Sequence, residues 1–244
     1  MSPVVEVESL RREWPLPKGP PVIAVADASF EVHAGEVLGL LGPNGAGKTT
    51  IMQVLATLTP PTGGRASVAG HDVVRAAGAV RERLGYLSTT SGLPARLTVR
   101  ECLALFARLH GLRDPDRAVS GAVDRFRLGE FRDRFAEGLS TGMRQRLRIA
   151  CAAIHRPPVL ILDEPTSGLD LMSTDDLLDE VVALRNEGAG VLYSTHVMEE
   201  AERVCDRVAV LHQGRVRAIG SVPELLANTG GATLAEAFRR TVRA

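Results

Sequence analysis

The stretch Gly42-Pro-Asn-Gly-Ala-Gly47-Lys48-Thr49 decides the reading of this chain. It fits G-x-x-x-x-G-K-[ST], and it lies between a short apolar run, Val37–Leu41, and a helix predicted over Thr49–Leu58. A strand, a glycine-rich turn and a helix in that order form a phosphate-binding loop. The glycines let the backbone curl so that successive N–H groups point inward, and the following helix turns its positive end toward an anion. The loop Asn44, Gly45, Ala46, Gly47, Lys48, Thr49 and Thr50 is therefore the candidate nucleotide cradle. Lys48 can reach the β- and γ-phosphates, and the Thr49 hydroxyl suits Mg²⁺.

Further along, Val159-Leu-Ile-Leu-Asp163-Glu164 is an unbroken apolar run ending in two carboxylates. Continuous apolar runs fit parallel strands buried on both faces, and ligands of open α/β sheets bind at the carboxyl ends of such strands. Asp163 is the candidate metal ligand beside Thr49. Glu164 is the candidate general base that activates water. Together the two motifs imply a P-loop nucleoside triphosphatase using ATP and Mg²⁺.

Composition narrows the class. The 244 residues hold 29 Lys plus Arg against 29 Asp plus Glu, and 45% are apolar. That suffices for a sizeable core and lacks the basic excess of a dedicated nucleic-acid binder. The three cysteines, Cys102, Cys151 and Cys205, are scattered and form no C-x-x-C pair, so neither a disulfide framework nor a zinc site is expected. The N-terminal residues Met1 to Leu10 show no basic stretch leading into an apolar one. No run approaches the roughly 20 apolar residues of a membrane span, so any solute path would belong to another chain.

The remaining pattern alternates strands and helices around a charged, helical-looking stretch, Asp114–Phe135. Strands are expected at Val22–Val32, Gly85–Leu87 and Val191–Ser194, with a hairpin of Val208–Leu211 and Val216–Ile219 around Gln213-Gly214. Trp14–Pro21 reads as a loop, and Ser88–Ser91 as a polar turn. Helices are expected at Gly142–Ala153, Asp175–Asn186 and Met198–Cys205. Thr98 with Glu101, Ser221 with Glu224 and Thr233 with Glu236 form capping boxes that start further helices, the first running through His110. The expected fold is α/β, with a mostly parallel sheet, an N-terminal antiparallel β subdomain and an inserted helical subdomain. The boundaries are one domain over 1–244, an insert at 88–140 and a C-terminal helical tail at 220–244.

Leu139-Ser140-Thr141-Gly142-Met143 opens a helix ahead of the acidic strand, and here the chain resembles the ATP-binding-cassette (ABC) ATPases. Their signature reads Leu-Ser-Gly-Gly-Gln. Ser140 and Gly142 are kept, while Thr141 and Met143 replace the first glycine and the glutamine. The resemblance implies that Ser140, Thr141, Gly142 and Met143 complete the ATP site of an opposite subunit, so that a second cassette is needed, expected as a homodimer with a paralogous partner as the alternative. It assigns Asp170 of Ser167-Gly-Leu-Asp170 to the D-loop, His196 of Ser194-Thr-His196 to a γ-phosphate switch, and Trp14 to stacking on adenine.

Gly85-Tyr-Leu-Ser-Thr89-Thr90 departs from the family, which places a glutamine where Thr89 stands; coupling is then tuned differently or hydrolysis is slower. Thr89–Arg108, with Leu97-Thr-Val-Arg-Glu101, and the tail around Thr233–Thr241 resemble the sodium and drug exporter branch. The resemblance thus implies an ATP-hydrolysing transporter subunit, held at the cytoplasmic face of the membrane by a separate permease that docks near Ser88–Arg96, and coupled to export. No nucleic acid partner is expected. The alternative is a soluble ABC ATPase acting on nucleic acid or the ribosome, which would usually carry a coiled coil, a second cassette or a basic linker. A third reading is a nucleotide-gated binding module with little turnover, against which Glu164 and His196 argue.

Overall fold

The computed structural model describes residues 2–89 and 92–243. The second half of the turn expected at 88–91, and the outermost residues of the expected 1–244 and 220–244 units, lie outside them. Three strands form the spine of a parallel sheet: β3 (Val37–Leu41), β7 (Val159–Asp163) and β8 (Gly190–Thr195), buried along their whole length. β6 (Leu84–Leu87) joins beyond β7, and β9 (Arg207–His212) lies on the other side of β3. β10 (Arg215–Gly220) folds back antiparallel on β9 across Gln213-Gly214, where both residues have positive φ, 48° and 71°. This is the two-residue turn whose twist matches a hairpin.

The sheet continues through β2 (Val22–Val32), β1 (Val5–Trp14), β4 (Gly63–Val68) and β5 (His71–Asp72). β10 meets β2 in parallel, and β2, β1, β4 and β5 pair antiparallel in turn. The mostly parallel sheet with its antiparallel N-terminal part is thus present as the sequence implied. β4 and β5 were not legible: Gly63-Gly-Arg-Ala-Ser-Val68 has little strand character, and pairing with the valine-rich edge of β1 supplies what propensity lacks.

Burial in the spine has a period of two. Leu160, Leu162, Val191 and Tyr193 face the cluster that runs on into the helical insert, while Val159, Ile161 and Leu192 face α1 (Lys48–Leu55) and the antiparallel strands. α2 (Ala77–Glu82) precedes β6. Between β6 and α5 (Thr141–Ala153) stand α3 (Val99–Leu109), α4 (Pro115–Arg125) and 3₁₀ turns at Gly129–Phe131 and Ala136–Gly138. α3 carries its capping box.

The helix expected through Asp114–Phe135 stops at Arg125. Arg127 takes φ +51°, and the chain beyond it turns back: the carbonyls of Arg132 and Arg134 accept from Arg100 and Val99, and the Ala136 N–H donates to Leu97. Pairing with the start of α3 overrides the helical pattern. α6 (Leu171–Asn186) begins earlier than expected because Asp170 caps it. α7 (Met198–Val204), α8 (Val222–Thr229) and α9 (Leu234–Arg243) follow, with Leu225 and Leu234 packed on β9 residues Val208 and Val210. α8 has its full capping box. At α9 the Thr233 hydroxyl accepts from the Glu236 N–H, but the Glu236 carboxylate reaches Ala232 rather than Thr233.

Register decides where chemistry is presented. Leu41 pairs with Thr195, Asp163 with Ser194, and Leu87 with Leu162. The carboxyl ends of β3, β8, β7 and β6 therefore reach one edge of the sheet, delivering Gly42, His196, Glu164 and Ser88 side by side.

Candidate functional site

At that edge the chain leaves β3 and curls through Gly45 (φ 79°) and Gly47 (φ 108°) into α1. A Cβ on Gly47 would stand 2.6 Å from the Ala24 carbonyl oxygen of β2, so only glycine fits there. The Ala46 carbonyl accepts from Gly214 N–H at 2.9 Å, tying the loop to the β9–β10 turn. No side chain caps α1, and no acidic residue stands in its first turn. The turn thus offers N–H groups and the positive end of the helix dipole to an outside anion. This cradle fits a polyphosphate.

Lys48 is only 4% exposed, and its Nζ donates to the carbonyls of Gly42 at 2.8 Å and Pro43 at 3.3 Å. It also lies 3.1 Å from Glu164 Oε1, which His196 Nδ1 approaches to 3.5 Å. Lys48, Glu164 and His196, drawn from three separate motifs, thus converge. Asn44, Gly45 and Thr49 are exposed at the rim, Ala46 is buried, and Gly47 and Thr50 are half-buried.

Asp163 is 1% exposed; its Oδ1 accepts from Ser194 Oγ at 2.7 Å, and its Oδ2 has no partner among the described residues. A buried, unmatched carboxylate oxygen is costly, and together with the Thr49 hydroxyl in the first turn of α1 it suits a hard divalent cation. Glu164 holds φ +44°, in the left-handed region. Its N–H donates to Ser194 Oγ at 2.9 Å and its carbonyl accepts from Ser167 N–H at 3.1 Å. The turn before His196 is pinned by Glu200, whose Oε2 accepts from Thr195 Oγ1 at 2.6 Å and from the Tyr193 hydroxyl at 3.0 Å. Burial pushes the Tyr193 phenol well above its ordinary pKa, so it stays a donor.

Other expected residues stand apart from this cluster. Ser140 caps α5, accepting from Met143 N–H at 3.2 Å. Gly142 packs against α6, where a Cβ would meet Ser173 Oγ at 2.6 Å. Ser140, Thr141, Gly142 and Met143 make no hydrogen bond or ion pair to Lys48, Glu164 or His196 among the described residues; Ser140, Gly142 and Met143 border a cavity of about 540 Å³ instead. Asp170 accepts from Ser173 N–H at 2.9 Å and Oγ at 2.8 Å, and these bonds hold its carboxyl below the usual range. Thr89 is exposed just past β6. Trp14 ends β1 opposite Val22, close along β2 to the Ala24 carbonyl that faces Gly47, and its ring carries the Arg12 guanidinium 4.0 Å from its centroid. Burial pushes the Cys102 thiol up to about 11, and the Cys151 and Cys205 thiols rise for the same reason.

Sequence reasoning missed Ser194 and Glu200 as contributors. Ser194 had one usable signal, its place at the end of an apolar run expected beside Asp163. Glu200 becomes visible only through its tertiary contacts.

The ABC transporter family matches residues 25–167. The daunorubicin resistance ATP-binding protein DrrA3 of Streptomyces coeruleorubidus is 44% identical over 210 residues, covering 85% of this chain. The chain thus spans about two thirds, 66%, of that relative's length. The ABC transporter ATP-binding protein NatA of Bacillus subtilis is 39% identical over 207 residues, covering 84% of each chain. A solved ATP-binding subunit of an ABC transporter superposes with a TM-score of 0.85 at 33% identity, covering 98% of this chain and 99% of that one.

Proposed function

The chain belongs to the ABC transporter family, as an ATP-binding cassette, and on that premise we propose that it is the ATP-hydrolysing subunit of an exporter whose membrane path is a separate permease. The observation that carries the hydrolytic reading is the convergence of Lys48, Glu164 and His196 beside an uncapped, glycine-turned helix start. The relatives' names, which speak of daunorubicin resistance and of an ABC transporter ATP-binding protein, support the exporter branch. Among the described residues no helix is long and apolar enough to cross a membrane; in this reading the membrane path belongs to a permease on another chain, and the cassette sits at its cytoplasmic face. The groove between insert and core, near Ser88–Arg96, would meet that permease.

In this reading ATP lies along Gly42–Thr50 with Trp14 against its base. Lys48 exchanges the Gly42 carbonyl and Glu164 for phosphate oxygens, which frees the Glu164 carboxylate to accept a proton from the attacking water. His196, half exposed at the rim, donates to the γ-phosphate. Mg²⁺, when bound to Thr49 and Asp163, would neutralise charge on the phosphates. Preorganised N–H dipoles of the loop stabilise the charge that develops.

Leu171 and Met172 are each 76% exposed immediately after Asp170. This apolar pair supports a second cassette packing there, with its Ser140–Met143 facing this chain's nucleotide. The test is a pull-down of tagged Glu164→Gln with ATP and Mg²⁺ from detergent-solubilised membranes. Recovery of one polytopic membrane protein in near-equal amount is expected. Recovery of ribosomes or nucleic acid without a membrane protein would overturn the transporter reading in favour of a soluble ABC ATPase.

A further inference from the structure

α5 turns two polar side chains toward the sheet that the chemistry above leaves without a task. Gln145 is buried, and Arg148 is half-buried beside Tyr86, Leu87, Phe106 and Cys151 at an apolar cavity of about 350 Å³. Arg148 Nη1 donates to Gln145 Oε1 at 2.8 Å, and Nη2 donates to the Ser88 carbonyl. Gln145 Nε2 in turn donates to the Pro165 carbonyl at 2.5 Å. No ion pair with a carboxylate offsets the burial of this charge among the described residues, and burial lowers the Arg148 pKa from its ordinary value.

The ends of this linkage matter. Ser88 is the first residue past β6 and neighbours Thr89. Pro165 directly follows Glu164, whose φ of +44° is a strained conformation for a side chain of that size. Such a conformation persists only where its surroundings over-determine it. The Glu164 N–H is fixed by Ser194 and its carbonyl by Ser167, so the Pro165 carbonyl is the next acceptor along the turn. Arg148 is suited to the other end because its planar fork presents two donors at a fixed separation. A shift of the Ser88 carbonyl would therefore be passed through two side chains and three hydrogen bonds to the backbone that aims the carboxylate.

We infer that Gln145 and Arg148 are positioning residues for Glu164, linking the exit of β6 to the catalytic turn. The inference rests on the hydrolytic reading only where turnover is the readout. Neither side chain touches the phosphate loop, so substrate binding should be spared while the chemical step suffers.

The experiment compares purified wild type with Arg148→Met, which keeps the stem and loses the fork, and Arg148→Lys, which keeps the charge and one donor site. Steady-state hydrolysis gives kcat and KM, and hydrogen exchange follows the Ser167 and Leu169 amides. Arg148→Met should lower kcat about 10- to 100-fold, as expected for a misplaced catalytic group, with KM for ATP within about twofold. The Ser167 amide should exchange faster while α5 amides stay protected, and Arg148→Lys should recover part of both effects. Wild-type kcat and exchange in Arg148→Met would overturn the inference. So would a parallel loss of kcat, ATP affinity and Tm that lysine does not rescue, which marks packing alone. Exchange is independent of turnover: a wild type that hydrolyses no ATP would defeat the hydrolytic reading while the amides still decide the linkage. Should Arg148→Met not fold, Gln145→Asn, which shortens the reach to Pro165 without changing charge, puts the same question.

Discussion

Glu164 and Asp163 are neighbours with opposite environments, and the difference sorts their roles. Asp163 is sealed in with one oxygen on Ser194 and one unmatched among the described residues, whereas Glu164 opens toward Lys48 and His196. Glu164→Gln keeps the shape and removes the base, so phosphate release should fall roughly 10²- to 10⁴-fold while the chain still retains nucleotide on a filter or in equilibrium dialysis. Ser194→Ala acts differently, because one hydroxyl serves both carboxylate residues: it accepts from the Glu164 N–H and donates to Asp163. Its loss leaves two buried groups unpaired and should cost about 1–3 kcal/mol, read as a lower urea midpoint together with a lower kcat. At this scale the sequence reveals residues whose spacing encodes chemistry, such as Gly42 to Thr49 and the Asp-Glu pair. Ser194 acts by orienting the Asp-Glu pair and Glu200 by pinning the turn before His196, and their spacing carries no signature.

Among the elements, α5 shows how a residue singled out for one reason is required by the fold for another. Gly142 invites the reading that a bare N–H can approach a ligand, yet within the chain its lack of a side chain lets α5 close on α6 at Ser173. A Cβ at 2.6 Å from Ser173 Oγ and 3.0 Å from Ser173 Cβ forces the helices apart. Gly142→Ala should therefore destabilise by about 1–3 kcal/mol, the usual cost of overpacking. Adding Ser173→Ala removes the nearer of those contacts and should recover a measurable part of the loss in a double-mutant cycle. If the two substitutions simply add, the helix contact is not the constraint. Elements with strong periodicity or a cap, such as β3, β7, β8, α3 and α8, were legible within a residue or two. The stretch after Arg125 was not, because its backbone pairs with α3 rather than with itself. α6 starts early because Asp170 supplies a cap that the apolar pattern alone does not reveal.

At the scale of the whole molecule, the insert meets the core through a pair of histidines. His110 caps the end of α3 and His155 follows α5 on the way into β7; their rings stack with centroids 3.6 Å apart and planes within 7°. Burial lowers both, and it takes His155 from 6.5 to about 4, with repulsion from His110 adding to the fall. Both rings are therefore neutral in the folded chain near pH 7, where the junction is stable. As pH drops below about 6.5, unfolded chains bind protons at these positions and folded ones do not, so stability must decline until pH nears 4, where His155 also charges. The carboxylates of Glu101, Asp170 and Glu224 at helix starts, and of Asp72, which accepts from the Val74 and Arg75 amides, have lowered values, and their contribution is lost at more acidic pH. The two processes thus set in at different pH, the histidine loss below about 6.5 and the carboxylate loss only near 4.5 and below. Thermal unfolding followed from pH 7.5 to 4.5 (roughly the His range) should show a falling Tm, and His155→Phe, which keeps a flat ring against His110, should flatten that slope while leaving the steeper acid limb below it. An unchanged slope in the variant would mean that the junction tolerates a charged ring, and that the insert and core are held together by the continuous apolar cluster from Leu103 through Leu147 to Leu160 alone.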